Sequence, residues 1–148
     1  MSKELPGEER FYQKYLLAEA YQKLRRPREG LALTNELFSD MSQTGKRNLQ
    51  SDLHRLNGDL LLLQVHSPDE ATRAAAERSY RDAISVARDQ DAKSLELRAT
   101  ISLARLLDES GRRDEARTLL DEIYAWFIEG FDTADLKLAR ALLDQLSV

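Results

Sequence analysis

Residues 94–124 read SLELRATISLARLLDESGRRDEARTLLDEIY, and this stretch decides the fold. Leu95, Ala99, Leu103 and Leu106 recur at the spacing of one helical face, and Ala116, Leu119, Leu120, Ile123 and Phe127 do the same. Between the two patterns stands Gly111, where a helix end needs a residue that tolerates positive φ. The same helix–turn–helix unit returns twice earlier, less cleanly.

Composition carries this outward to the whole chain of 148 residues, a length that fits one domain. Twenty-six Leu and seventeen Ala face only seven Val plus Ile, so helix formers dominate and strand formers are scarce. Prolines occur only at 6, 27 and 68. The fold class is all-α.

Seven helices are expected. Residues 1–8 read as a flexible leader and 9–148 as a single domain. Helix one spans about 9–25, with Phe11, Leu17, Tyr21 and Leu24 on its apolar face, and Arg26-Pro27 breaks it. Helix two runs over about 27–43, and Gly45 marks a loop. Helix three, about 46–65, carries Leu49, Leu53, Leu56, Leu60 and Leu63; a helix buried on two sides fits this short pattern better than a coiled-coil seam. Ser67-Pro68-Asp69-Glu70 reads as a capping box that opens helix four, with Ser67 as the cap. Helices five and six are the opening stretch. Gly130 ends the sixth, and Asp132 with Asp135 is expected to cap the seventh.

Small residues mark where paired helices cross closely. Ala18, Gly58 and Ala104 occupy the first helix of each unit, with Tyr21, Leu61 and Leu107 three residues on. Gly30, Ala76 and Ala116 occupy the second helix. On these residues the chain resembles a tetratricopeptide-repeat protein, with units of about 9–44, 46–91 and 92–129 and a capping helix at about 132–146. The resemblance implies a right-handed superhelix of three helix–turn–helix hairpins plus a C-terminal capping helix. Spacings of forty and forty-six residues between the small residues imply longer helices than the minimal repeat has.

A narrower likeness covers about 91–146. Ala92-Lys93-Ser94-Leu95-Glu96-Leu97-Arg98-Ala99 and Trp126-Phe127-x-Glu129-Gly130-Phe131-Asp132-Thr133-x-Asp135-Leu136 are similar to the C-terminal repeats of large bacterial signalling proteins that also carry a nucleotide cyclase or DNA-binding module and an ATPase module. The chain has no G-x-x-x-x-G-K-[ST] loop and no cyclase carboxylates, so no catalytic activity transfers with the likeness. It implies a free-standing relative or the sensor end of a longer protein.

Charge and residue inventory exclude several classes. No cysteine is present, which removes disulfides, thiolate metal sites and a cysteine nucleophile. The net charge of −4 comes from interspersed acids and bases and offers no field for nucleic acid. Neither MSKELPGEERFY nor Leu60–Leu63 has the length of a signal or membrane segment, so a cytoplasmic location is expected. His54 and His66 are twelve apart and read as packing or surface histidines. Asp59, Asp69 and Glu70 read as solvated or capping carboxylates. We expect no enzyme, no cofactor and no metal.

In the resembled family the concave face binds peptides or proteins. Its offsets from the small residues give Tyr12, Tyr15, Glu19, Gln22 and Lys23 in the first unit. The second gives Asp52, Arg55, Asp59, Leu62 and Leu63, and the third Arg98, Ile101, Arg105, Asp108 and Glu109. Tyrosines supply contact area and arginines pair with carboxylates, so an acidic or aromatic-rich peptide is the expected ligand. Chaperone-tail binding is not expected, because Tyr15, Glu19 and Leu56 stand where that carboxylate clamp needs Lys and Asn. Tyr124, Trp126, Phe127 and Phe131 are expected to lock the last helix onto the stack. Two other functions stay open: self-association through an exposed face such as Leu60–Leu63, and a small-molecule pocket under Trp126.

Overall fold

The computed structural model describes residues 7–44 and 49–148. Residues 1–6 of the expected leader and the Gly45 loop lie outside the described residues. Within them the chain is all-α: α1 Gly7–Lys23, α2 Pro27–Thr44, α3 Gln50–Leu63, α4 Glu70–Asp89, α5 Lys93–Glu109, α6 Arg113–Tyr124 and α7 Ala134–Leu146, with no strand. None of these helices is long and apolar enough to cross a membrane.

Each helix packs on the next, and α1 also touches α3, α3 touches α5 and α5 touches α7. Even-numbered helices make no such contacts among themselves. The odd helices therefore form a row, with the even helices set against it. The six small residues named above are all buried. They sit where neighbouring axes come closest: a Cβ on Gly58 would lie 2.7 Å from the Tyr80 ring, and one on Gly30 would lie 2.8 Å from Leu60 Cδ2.

Two apolar clusters form the core. Tyr15, Ala18, Leu37, Met41, Leu53, Leu56 and Leu60 build the first, within α1–α3. The second runs through α4–α7 and centres on Leu97, Leu103, Leu107 and Leu120. Between them α3 meets α4 along a polar seam. Ser51 Oγ donates to the Ala83 carbonyl at 2.8 Å, Asn57 Nδ2 donates to Ser79 Oγ at 3.0 Å, and Thr34 Oγ1 lies 3.2 Å from Asn57 Oδ1. These buried groups are satisfied, so the seam aligns the two clusters without a desolvation penalty left open. Leu60 is fully buried, so the stretch Leu60–Leu63 is not the exposed apolar face expected for self-association. His54 packs on Phe38 with ring centroids 4.8 Å apart, and burial lowers its pKa, partly offset by Asp82.

Two caps differ from expectation. Asp69, not Ser67, caps α4: its extended backbone lets Oδ1 accept from the Thr72 amide at 2.8 Å. A carboxylate beside the positive helix end is favoured over a hydroxyl, and that amide holds the Asp69 carboxyl below its usual range. Glu70 is consequently the first helical residue and cannot reach back as a capping-box partner. At α7 the cap position is Thr133, with no side-chain bond, and Asp135 is engaged elsewhere.

Three turns share one geometry. Arg26, Ala92 and Arg112 donate their amides to Tyr21, Ala87 and Leu107 carbonyls, each at 2.8 Å and five residues back. The residues before them, Arg25, Asp91 and Gly111, adopt φ of 57°, 53° and 79°. Only the third is glycine, the residue this left-handed position favours. Arg25→Gly and Asp91→Gly should therefore each stabilise the fold by about 0.5–1 kcal/mol, read in urea unfolding, whereas Gly111→Ala should cost about 1 kcal/mol. Stabilities unmoved by all three would show that these φ values carry no strain.

Candidate functional site

The row of odd helices encloses a cavity of about 640 Å³. α1 supplies Gln22, α3 supplies Arg55, Asp59, Leu62 and Leu63, α5 supplies Arg98, Ile101, Ser102, Arg105 and Glu109, and α7 supplies Asp135 and Leu138. Pro68 and Tyr80 complete the lining. On α3 the leucines at 53, 56 and 60 turn into the first cluster, which leaves 55, 59, 62 and 63 to face the cavity. The α5 residues 98, 101, 102, 105 and 109 lie at helical three- and four-residue intervals, so one face of that helix forms the longest wall.

The polar groups form a connected set. Asp59 Oδ1 accepts from Tyr80 Oη at 2.6 Å and its Oδ2 accepts from Gln22 Nε2 at 3.0 Å, and Arg55 Nη1 stands 3.6 Å from that same Oδ2. This joins α1, α3 and α4 at one carboxylate. Arg55 Nη2 lies 3.5 Å from Asp52, which also faces Arg98 Nη1 at 3.6 Å. Arg98 then donates Nη2 to Asp135 at 3.1 Å and Nε at 3.3 Å, joining α5 to α7. Alternating acids and bases thus brace the cavity wall from α1 to α7.

Burial raises the Asp59 pKa, and the Tyr80 bond, the Arg55 charge and the Gln22 bond only partly offset it. The folded state then holds that proton to a higher pH than the unfolded chain does. Asp59 accordingly subtracts stability as pH rises from its ordinary value through its folded one. The Tyr80 hydroxyl is pushed far up by burial and by the Asp59 charge, which keeps it a donor. Burial lowers the Arg98 pKa, but Asp135 and Asp52 outweigh it and the net shift is upward.

Two donors on the wall have no acceptor. Arg105 is exposed and makes no ion pair among the described residues. Arg55 Nε is buried without a hydrogen-bond partner. Leu62, Leu63, Ile101 and Leu138 supply an apolar strip beside them. Chemically the cavity is a mixed-charge recess in which one exposed guanidinium, Arg105, makes no close ion pair among the described residues and stands next to aliphatic surface.

Arg55, Asp59, Leu62, Arg98, Ile101 and Arg105 come together as the repeat offsets expect, with Gln22, Leu63 and Glu109. Tyr12, Tyr15, Glu19, Lys23 and Asp108 do not line the cavity. Tyr15 is buried in the first cluster, where burial and the charges of Asp52 and Glu19 raise its pKa. Tyr12 and Lys23 are exposed on α1, Glu19 is half-buried, and Asp108 accepts from Arg113 Nε at 3.1 Å. Pro68, Tyr80, Ser102, Asp135 and Leu138 are the lining residues that sequence reasoning missed. The spacing of Tyr80 from Ala76 marks its burial, and nothing local marks its bond to Asp59.

The aromatic group lies apart from the cavity. Phe127 and Tyr124 pack against the second cluster, Trp126 meets Phe127 edge-on at 5.1 Å, and Tyr124 meets Phe131 at 5.8 Å. Trp126 is exposed and carries Lys93 Nζ 5.7 Å above its ring. No protein-family model, no curated protein and no solved structure matches this chain.

Proposed function

We propose that the chain is a non-catalytic protein-interaction module which takes a peptide or protein segment into the cavity between α1, α3, α5 and α7. The observation that carries this is the exposed Arg105, whose guanidinium makes no ion pair or hydrogen bond among the described residues, beside the strip of Leu62, Leu63, Ile101 and Leu138. Every other lining cation is matched by a carboxylate, so Arg105 is the one free to meet a carboxylate from outside, and arginine binds carboxylates with directional, paired hydrogen bonds. The ligand of this reading is an acidic segment with an aliphatic neighbour.

The helix order and packing support a tetratricopeptide-like arrangement: three hairpins, α1–α2, α3–α4 and α5–α6, in a right-handed superhelix capped by α7. Odd helices that touch along the row, even helices that touch only odd ones, and small residues at the crossings are what such a stack requires. Within that arrangement the cavity is the concave groove. A place as adaptor or sensor segment in a cytoplasmic bacterial signalling assembly follows from the likeness of residues 91–146.

Arg105→Glu is the discriminating variant, because Arg105 is exposed and makes no ion pair or hydrogen bond among the described residues. In affinity capture from a bacterial lysate, wild type should retain a partner that Arg105→Glu loses at least tenfold, with little change in melting temperature. A partner set identical for both proteins would overturn the groove reading.

A further inference from the structure

The outer face of α1 carries a continuous apolar stripe. Tyr12, Leu16, Leu17 and Leu24 are all exposed, Leu24 by 65%. They share one side of the helix with Gln13 and the half-buried Ala20, opposite the side that packs on α2 and α3 through Tyr15, Ala18 and Gln22. At the other end of the row α7 turns Lys137, Arg140 and Asp144 outward, and Arg140 pairs with Asp144 at 3.4 Å. Exposed Leu138 lies among these charges on α7 as a single large apolar side chain, whereas α1 carries four in one stripe.

The charges beside that stripe say what covers it. Glu9, Leu16 and Lys23 recur every seven residues along one line of the helix, and Glu9 and Lys23 are exposed with no partner among the described residues. In a two-fold antiparallel pair of helices whose axis passes through Leu16, a residue n positions before Leu16 meets the partner's residue n positions after it. Glu9 and Lys23 are each seven positions away, about 10 Å along the axis, so each meets its opposite charge on the other copy. Leu16 meets Leu16, and Tyr12 meets Ala20. The line of Glu9, Tyr12, Leu16, Ala20 and Lys23 is complementary to itself in this register, with Leu17 and Leu24 to one side of it.

We infer that α1 is a homodimerisation helix, pairing antiparallel with α1 of a second copy about Leu16. This does not depend on the cavity, since Gln22, the α1 residue that lines it, lies on the opposite side of the helix. The patch is small, so the dimer belongs to the weak, reversible class.

Sedimentation equilibrium of the whole chain at low salt tests it. The mean mass should rise from the 16.9 kDa of one chain towards twice that value across the micromolar to millimolar range. Leu16→Arg should abolish the rise with little change in melting temperature, since Leu16 belongs to neither core cluster. Glu9→Lys and Lys23→Glu should each weaken association about five- to tenfold, because the symmetry counts each new repulsion twice. Together in one chain they should restore it to within about twofold of wild type. A strict monomer at millimolar concentration overturns the inference, as does a dimer indifferent to Leu16→Arg. Failure of the paired charge reversal to restore association overturns the antiparallel register.

Discussion

Gly58→Ala should lower the melting temperature by about 5–12 °C, although in a helix this exchange ordinarily stabilises by roughly 1 kcal/mol. The added Cβ would stand 2.7 Å from Tyr80 Cε1 and 3.0 Å from Cδ1 and Cζ. An aromatic ring cannot fold its end aside, and this one is tied by its hydroxyl to Asp59 at 2.6 Å. Relief requires either that α3 and α4 move apart, opening the seam of Ser51 and Asn57, or that Tyr80 leaves Asp59. The first route costs overpacking strain of about 1–3 kcal/mol, and the second a charged hydrogen bond worth about 1.5–3 kcal/mol. The net expectation is about 2–4 kcal/mol of lost stability. Gly30→Ala is the comparison. Its new Cβ meets the methyl ends of Leu60, at 2.8 and 3.0 Å, and a leucine end can rotate where a pinned ring cannot. Its effect should be less than half as large. A double-mutant cycle of Gly58→Ala with Tyr80→Leu should return at least about 1 kcal/mol of coupling. Gly58→Ala proteins that melt at or above the wild-type temperature would sink this account of the crossing.

That crossing was legible in the sequence as chemistry of size. Small residues at 18, 30, 58, 76, 104 and 116 stand at helix contacts because bulk is excluded there, and a period of helical spacing locates them. The third unit was clearest since Leu103, Leu106, Leu107 and Leu120 are buried in the pattern they spell. The first unit was hardest. Offsets counted from Ala18 assume that α1 is rotated like α3 and α5, and its mixed surface could not correct them: α1 is apolar on both sides, so periodicity does not separate its core side from its outer side. Tyr15 consequently lies in the core and Tyr12 outside, while only Gln22 reaches the cavity. The caps failed for another reason. Ser67 and Asp69 are both competent to cap, and backbone direction decided between them. Asp135 has the right spacing to support a helix start, but a guanidinium from α5 claims it, a partner thirty-seven residues away that no local pattern announces. The Asp59–Tyr80 bond is invisible in sequence for the same reason.

Arg98→Glu is expected to cost about 2–4 kcal/mol, whereas Arg105→Glu, about two helical turns on along the same face, should cost less than about 1 kcal/mol. Arg98 stands 3.1 Å from Asp135 and 3.6 Å from Asp52. Its side chain is 41% exposed, so simple deletion, as in Arg98→Met, forfeits screened pairs and should cost only about 1 kcal/mol. Reversal is different. It gathers three carboxylates where one guanidinium held two, and Asp52 is itself largely withdrawn from water, which makes repulsion hard to screen. The damage should be local as well as global. Asp135 sits in the first turn of α7, so losing Arg98 loosens that helix first, and amide exchange along Leu136–Leu143 should quicken before that of α3. This separates two arginines that look equivalent in the sequence. Arg98 holds the wall of the cavity and Arg105 does not, so under the proposed function a partner lost with Arg98→Glu would report only a broken wall, and one lost with Arg105→Glu would report recognition. Equal melting temperatures for the two reversals would show that Arg98 braces nothing, and the division of labour along the α5 face would fall with it.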